Sequence, residues 1–405
     1  MFLNMKRSGA LVMLFAVSWK ALVCYADADS VSAFGWGLNN YGETTVPASA
    51  TNVLAVCAGA NHSVALRADG RVVIWGDDSV GQVTGIAYLD NQHHFPFVGM
   101  PDNMTNIMKI TAWGNITVAL RSDGKVIMWG VNGQSLQTNA PSDLGFVADV
   151  AVGGYYDEGI WPYDSPFLIA VERGGRAVGW GANSWGQCNF PKNLGKAVAV
   201  AAGYGHTVLL LGDGTVAAFG SNFNHEREVP TGLRDVVAVG AGNSYSLALC
   251  KDGTVVIWGD HFGVRGGVWA RSLSNIVMVA CGPEHILALR GDGGVLGFGI
   301  NDNGEVTFPS GVSGILGVAI GGHHSLAMLA PAISDAPALL EINTYPGFVV
   351  RGTPGAAYRI EYATDLGQDA VWQSLTNVVL FRGEQRYTDW SALGNSRRFY
   401  RAVLP

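Results

Sequence analysis

The chain has 405 residues, of which 48% are hydrophobic and only 14% charged, with 55 glycines and a formal net charge of −7. Glycine at this level, well above the ordinary share of about 7%, points to many short strands and turns rather than to helices. The acidic balance repels phosphate backbones, which argues against nucleic acid as a partner.

In chain order, Lys6 and Arg7 lead into the apolar run "GALVMLFAVSW" (9–19), which Lys20 interrupts and Ala26-Asp27-Ala28 follows. That is the shape of a signal peptide, too short to span a bilayer. It predicts an exported protein, secreted, periplasmic or on the cell surface, cleaved after Ala26 or Ala28. Loss of residues 1–28 removes Lys6, Arg7, Lys20 and Asp27 and takes the net charge from −7 to −9. Cys24 is poorly placed for lipidation, since Val23 stands where that processing wants a smaller residue. No later stretch reaches about 18 uncharged apolar residues, so no transmembrane span is expected after signal removal.

From residue 31 onward a large aromatic followed by glycine recurs: Trp36-Gly37, Trp75-Gly76, Trp129-Gly130, Trp180-Gly181, Phe219-Gly220, Trp258-Gly259 and Phe298-Gly299. A second landmark alternates with it: "AGANHSVAL" (58–66), "AWGNITVAL" (112–120), "SPFLIAV" (165–171), "AGYGHTVLL" (202–210), "AGNSYSLAL" (241–249), "CGPEHILAL" (281–289) and "GGHHSLAML" (321–329). Asp-Gly, a tight-hairpin signal, follows most of these copies, at 69–70, 123–124, 213–214, 252–253 and 292–293. Each unit thus reads as strand, Asp-Gly turn, strand, then a loop of the form NxxGQ, with a proline closing that loop at Pro47, Pro191, Pro230 and Pro309. In "RVVIWG" (71–76) both pleat faces are apolar, so each unit needs cover on two sides. Radial stacking supplies it, which predicts an all-β chain folded as a seven-bladed β-propeller over 31–329. The first unit begins on its aromatic-Gly strand and the last ends on "GGHHSLAML". These two halves are expected to pair as one blade, closing the ring end to end and removing free sheet edges.

These residues resemble the regulator of chromosome condensation repeat family, whose consensus reads approximately AGxxHSLALxxDGxVxxWGxNxxGQxGxP. The likeness covers 31–329 and is of the secreted bacterial type. It implies a seven-bladed propeller, a count that the spacing gives independently. It also implies recognition of proteins, because members of the family include a nucleotide-exchange factor for a small GTPase and a secreted bacterial inhibitor of β-lactamase, each presenting one propeller face to a partner.

"APAISDAP" (330–337) reads as a linker. Beyond it, Tyr358, Ile360 and Tyr362 alternate with Arg359 and Glu361, a half-buried strand. About six such short strands over 338–405 predict a small β-sandwich-like C-terminal domain, similar to the β modules that end secreted proteins of some environmental bacteria.

No chemistry-bearing motif stands out: no GxSxG, HExxH or Walker loop is present. His62, His206, His285 and His324 hold the same place in four units, where Ile116 and Tyr245 stand in two others. Equivalent places are spread around a ring, so these histidines are read as hydrogen-bonding the turn ahead of their strand rather than as ligands of one metal. Cys57, Cys188, Cys250 and Cys281 form no CxxC pair and are read as free thiols, though export leaves disulfides open. No catalytic residue, cofactor site or metal site is assigned.

Two gaps in the period are long, 54 and 51 residues against about 39 elsewhere, and insertions on a repeat scaffold go to loops that carry function. The first, around 83–101, brings His93, His94, Phe95 and Phe97. The second, "GGYYDEGIWPYDSP" (153–166), brings Tyr155, Tyr156, Asp157, Glu158, Trp161 and Tyr163. Together they are expected to form an aromatic and acidic crest at the end of the ring that also carries the aromatic-Gly loops. The reading favoured is a secreted, monomeric, non-catalytic protein that binds a partner protein through one propeller face. The alternative is a carbohydrate-binding or hydrolase/lyase-type propeller, with a glycan in the central funnel or on the aromatic insertions.

Overall fold

The computed structural model describes residues 31–79, 81–84, 97–98, 104–131, 140–155, 165–261, 264–265, 273 and 275–330, together with six short strands between 339 and 403. Among these residues the regular structure is all strand.

The first strand, β1 (Ser32–Gly37), belongs to the last sheet. Blade 1 is β2 (Val53–Ala58), β3 (His62–Arg67) and β4 (Val72–Gly76). Blade 2 carries the edge strand β5 (Phe97–Val98), then β6 (Ile107–Trp113), β7 (Ile116–Arg121) and β8 (Val126–Val131). Blade 3 is β9 (Val147–Tyr155), β10 (Ser165–Glu172) and β11 (Ala177–Gly181), and blade 4 is β12 (Ala197–Ala202), β13 (His206–Leu211) and β14 (Val216–Gly220). Blade 5 is β15 (Val236–Ala241), β16 (Tyr245–Cys250) and β17 (Val255–His261), with β18 (Val264–Arg265) on its outer edge. Blade 6 is β19 (Ile276–Cys281), β20 (His285–Arg290) and β21 (Val295–Gly299). Blade 7 joins β22 (Ile315–Ile320) and β23 (His324–Leu329) to β1. The seven-bladed expectation therefore holds, and the chain start pairs with its last repeat in register from Ser32↔Leu329 to Gly37↔His324.

The first strand of each blade lines a central channel. Around one mouth of that channel, backbone bonds run from blade to blade: Ala60 N donates to Gly114 O, Gly154 N to Gly203 O, Tyr204 N to Gly242 O, and Asn243 N to Pro283 O. Gly322 N donates to Gly59 O and Ala60 O, so blade 7 is bonded to blade 1 in the same way. Pro283 has no N–H to give blade 7, and Trp113 makes its link through the indole, Nε1 donating to Gly154 O at 2.8 Å.

Both blade faces are apolar, as the pattern demands. Val64 and Leu66 of blade 1 meet Ile110, Ala119 and Trp129 of blade 2 in one buried cluster, and Leu287 and Leu289 of blade 6 meet Trp36, Val318 and Ile320 of blade 7 in another. Full burial of each such side chain contributes roughly 1.5–3 kcal/mol. At one end of every inner strand a bulge shifts the register, for example between Val53 and Ala55 and between Ile315 and Gly317. Just before it Asn52, Asn106, Asp235 and Asn275 sit at φ 55–61°, a region that asparagine and aspartate tolerate.

After Leu329 the chain enters a second compact unit. There β24 (Leu339–Ile342), β25 (Gly347–Arg351), β26 (Ala357–Ala363), β27 (Gln373–Val379), β28 (Glu384–Thr388) and β29 (Phe399–Val403) make two three-stranded sheets, β24-β25-β28 and β27-β26-β29. Ile360, predicted on the covered face of its strand, is fully buried.

Candidate functional site

The ring has two unlike ends. β3 and its counterparts run from a histidine-type residue at one end to an Asp-Gly turn at the other, and the next strand returns, so that His62 pairs with Gly76 and His206 with Gly220. The aromatic-Gly loops therefore sit beside the turns that precede the histidines. Leu38 N donates to His323 O, Asp77 N to Asn61 O, Ser221 N to Gly205 O and Ile300 N to Glu284 O.

The NxxGQ-type loops at this end hold one shape by two side chains. The first residue accepts a backbone N–H five positions on, as in Thr44 N to Asn39 Oδ1, Cys188 N to Asn183 Oδ1 and Val306 N to Asn301 Oδ1. The closing Glu or Gln turns inward, and Glu43, Gln187, Glu226 and Glu305 are buried. Its backbone carbonyl takes the indole of the next blade's tryptophan: Trp36 Nε1 donates to Glu305 O, Trp75 to Glu43 O, and Trp258 to Glu226 O, at 2.8–2.9 Å. What recurs in the repeat is thus what pins one blade's loop to its neighbour.

The four repeated histidines serve the same seam. His62 Nε2 lies 2.8 Å from Thr117 Oγ1, His206 Nε2 and His324 Nε2 each 2.9 Å from Ser246 and Ser63 Oγ, and His285 Nε2 3.3 Å from Ser325 Oγ, always one blade on. The sequence reading gave these rings to their own turn. That turn is closed instead by the backbone, Gly59 N to His62 O and Gly203 N to His206 O, which leaves the ring free to cross to the next blade. The serines donate onward to carbonyls, Ser63 Oγ to Glu43 O and Ser246 Oγ to Glu226 O, so Nε2 of His324 and of His206 donates to them. Burial holds His62 and His206 down at about 4 and His285 and His324 at about 3. A Ser–His contact of this kind has the spacing of a nucleophile and base. Here the hydroxyl proton is committed to a backbone carbonyl and both partners are buried, so the contact is a staple. The glycine three residues ahead makes room for it: a Cβ on Gly59 would lie 2.2 Å from His62 Cε1, and one on Gly321 2.3 Å from His324 Cε1. Where Ile116 replaces the histidine, Trp113 occupies that glycine's place.

The thiols match the free-cysteine reading: Cys57, Cys188, Cys250 and Cys281 are unpaired. Burial pushes the Cys188 and Cys281 thiols up to about 12, which makes them poor nucleophiles.

Residues between the pinned positions of the loops point outward. Tyr41 is 54% exposed, Trp185 38% and Phe223 77%, all at the aromatic-Gly end. The Trp185 ring lies 6.0 Å from that of Tyr204 on the adjoining turn. In the loop of Phe223, His225 takes φ 62° where the sister loops have Gly42, Gly186 and Gly304 at 81–82°. At the channel mouth of the same end, Trp113, Asn243, Glu284 and His323 line a cavity of about 210 Å³. The channel itself is walled by alanine, valine and isoleucine, with one ion pair between Lys109 and the Asp149 carboxylate, whose other oxygen accepts Val200 N.

Of the crest residues proposed from the sequence, Tyr155 ends β9 opposite Ser165 at the aromatic-Gly end of blade 3. Phe97 is in β5, opposite Val131 at the outer edge of blade 2. His93, His94, Phe95, Tyr156, Asp157, Glu158, Trp161 and Tyr163 lie outside the described residues. Tyr41, Trp185, Tyr204 and Phe223 were missed as surface residues. The signal was present in NxxGQ, since a loop whose first side chain caps its own backbone and whose last is buried must present its middle ones.

The description "Regulator of chromosome condensation (RCC1) repeat" matches residues 53–82, 197–226 and 276–305, each stretch running from an inner strand to the buried Gln or Glu. The human protein HERC6, described as a probable E3 ubiquitin-protein ligase, is 30% identical over 214 residues, which is 45% of this chain and 20% of HERC6. The chain thus spans about a fifth of that relative. Among solved structures, human WBSCR16 is similar at a TM-score of 0.57 and 14% identity, over 75% of this chain and 100% of that one. Prp20p of Saccharomyces cerevisiae is similar at a TM-score of 0.41 and 19% identity, over 80% and 81%.

Proposed function

We propose that this chain, a member of the regulator of chromosome condensation (RCC1) repeat family, is an exported, monomeric and non-catalytic recognition platform that binds a partner protein with the aromatic-Gly end of its ring. The observation that carries the reading is the solvent exposure of Tyr41, Trp185 and Phe223 at that end. Trp36, Trp75 and Trp258 of the same repeats are buried and hydrogen-bonded, so exposure is a property of these positions and not of the fold. Large aromatics on a rigid support are the side chains that anchor protein interfaces. The apolar start at 9–19 supports export.

The test is capture of partners from the extracellular fraction of the source cells on immobilised protein, comparing wild type with Trp185→Ala/Phe223→Ala. The double variant is expected to melt as wild type does and to lose the captured partner. Equal capture by both proteins overturns the reading.

A second reading, glycan binding at the channel mouth, is favoured by the company of Trp113 with the planar polar side chains of Asn243, Glu284 and His323. The cavity, at about 210 Å³, is below the roughly 300–1,000 Å³ of drug-sized sites and would suit a single sugar ring. Thermal stabilisation by one saccharide from a glycan panel, lost in Trp113→Gly, would favour it over the first.

A further inference from the structure

We infer that the surface this end receives is cationic, and that the aromatic-Gly end is built to dock an arginine-bearing, basic segment of a partner protein. The inference rests on the platform reading above and adds the chemistry of what is bound.

Charge is sorted across the ring. Among the described residues of the ring, Arg227 and Arg265 stand at the aromatic-Gly end, Arg265 opposite Asp260 in the β17–β18 pair, and the remaining Lys and Arg residues lie at or beside the Asp-Gly end. There cations and carboxylates balance: Arg67 meets Asp69, Arg121 meets Asp123, Arg290 meets Asp292, and Arg176 meets both Asp143 and Glu172. At the aromatic-Gly end the described carboxylates nearer the surface are Asp77, Asp78, Glu228, Asp260, Glu284 and Asp302, and among the described residues Asp77, Asp78, Glu228, Glu284 and Asp302 are not ion-paired to a Lys or Arg. Beneath them Glu43 and Glu305, both 0% exposed, each leave Oε1 without a hydrogen-bond partner. Among the described residues, the Arg227 guanidinium is directed to the Gly220 carbonyl, and Arg265 stands opposite Asp260 on the outer edge of blade 5.

Unpaired carboxylates arranged on one face raise the local concentration of cations and speed their encounter. They also select against phosphate and acidic surfaces by repulsion. The aromatic residues choose among cations. Guanidinium is planar and weakly hydrated and stacks on Trp and Tyr faces, whereas an ammonium is a compact, strongly hydrated charge. Trp185 with Tyr204, and the exposed Tyr41 in the loop whose Glu43 carbonyl takes the next blade's Trp75 indole, therefore favour arginine over lysine. His225 marks the same surface, as a non-glycine residue held at φ 62° with its ring outward. Backbone strain of this kind collects at functional sites.

The test uses the full chain with fluorescein-labelled oligo-arginine and oligo-lysine peptides of equal length, read by anisotropy at low and at physiological salt. Two triple variants are compared, Glu228→Gln/Glu284→Gln/Asp302→Asn at the aromatic-Gly end and Asp213→Asn/Asp252→Asn/Asp292→Asn at the other. Asparagine keeps the Oδ1 acceptor each turn needs. The arginine peptide is expected to bind more tightly than the lysine peptide and to weaken with salt. Its affinity should fall about tenfold in the first triple variant and stay unchanged in the second. Equal losses in the two variants, no preference for arginine, or no binding of either peptide overturns the inference. Loss of partner capture in Trp185→Ala/Phe223→Ala without arginine-peptide binding would remove this inference and leave the platform reading standing. Arginine-peptide binding at this end with unchanged partner capture would do the reverse.

Discussion

The two ends of one ring solve different problems with the same repeat. At the Asp-Gly end a single solution recurs: Asp69, Asp123, Asp213, Asp252 and Asp292 each accept the backbone N–H two residues on through Oδ1, and the following glycines hold φ 76–85°. At the aromatic-Gly end the frame also recurs, in the first Asn or Asp and the buried Glu or Gln of each loop, yet the outward residues change from loop to loop. Tyr41, Trp185, Phe223 with His225, and Asp302 all stand on equivalent supports. A repeat protein keeps its shape with the residues that recur, which leaves those that do not recur for recognition.

The sharpest way to break this comparison is to delete one aromatic residue of each kind. Trp258 is 5% exposed, and its indole holds the Glu226 carbonyl at 2.9 Å; Trp258→Ala is expected to lower unfolding free energy by about 3–5 kcal/mol. Phe223, in the loop that Trp258 pins, should cost about 0.5 kcal/mol or less when changed to alanine. Urea midpoints measure both. A large loss from Phe223→Ala would mean that the exposed ring is structural and that the two classes of aromatic do not differ.

A second test concerns the seam between the ends. The four buried histidines titrate at about 4 or about 3, against 6.5 in the unfolded chain. Below pH 6.5 the unfolded chain takes up protons that the folded one refuses, so stability is complete above pH 6.5 and is lost as pH falls toward 4. Each histidine contributes a slope of about 1.4 kcal/mol per pH unit in that window. His206→Gln keeps a donor for Ser246 and removes one titrating group, so its acid slope should be shallower by about that amount in urea melts between pH 4 and 6.5. Equal slopes would show that His206 is not held neutral in the fold.

The sequence made the seam visible and the surface only partly so. Aromatic-Gly and the strand that alternates with it are local patterns, and seven copies of each, five of them joined by Asp-Gly, define seven sheets without any knowledge of contacts. The joining of β1 to β23 was legible because the first and last units are complementary halves. The direction of the histidine rings was not legible, since a ring that bonds the next blade and one that bonds its own turn leave the same residue in the same column. The charge sorting was also hidden: Asp302 and Asp292 are near neighbours in sequence, and only the strand between them puts them at opposite ends of the ring. The exposure of Trp185 was hidden too, because it depends on the loop closed by Asn183, which caps Cys188 N, and by the buried Gln187.

The smallest expected effect is the most discriminating. A left-handed backbone costs an ordinary residue roughly 1–2 kcal/mol, and His225→Gly would relieve it. Glycine also raises the entropy lost on folding, by roughly 0.5–1 kcal/mol, and the change removes the exposed contact of His225 Nδ1 with Glu228 at 2.9 Å, a kind of pair that contributes roughly 0–1 kcal/mol. These opposing effects leave the unfolding free energy within about 1 kcal/mol of wild type in either direction. Stability therefore gives no reason for histidine where Gly42, Gly186 and Gly304 stand in the sister loops. If the residue serves recognition, His225→Gly should weaken partner capture severalfold in a protein that melts almost unchanged. Full capture by His225→Gly would instead confine the recognition surface to the aromatic rings and carboxylates around it.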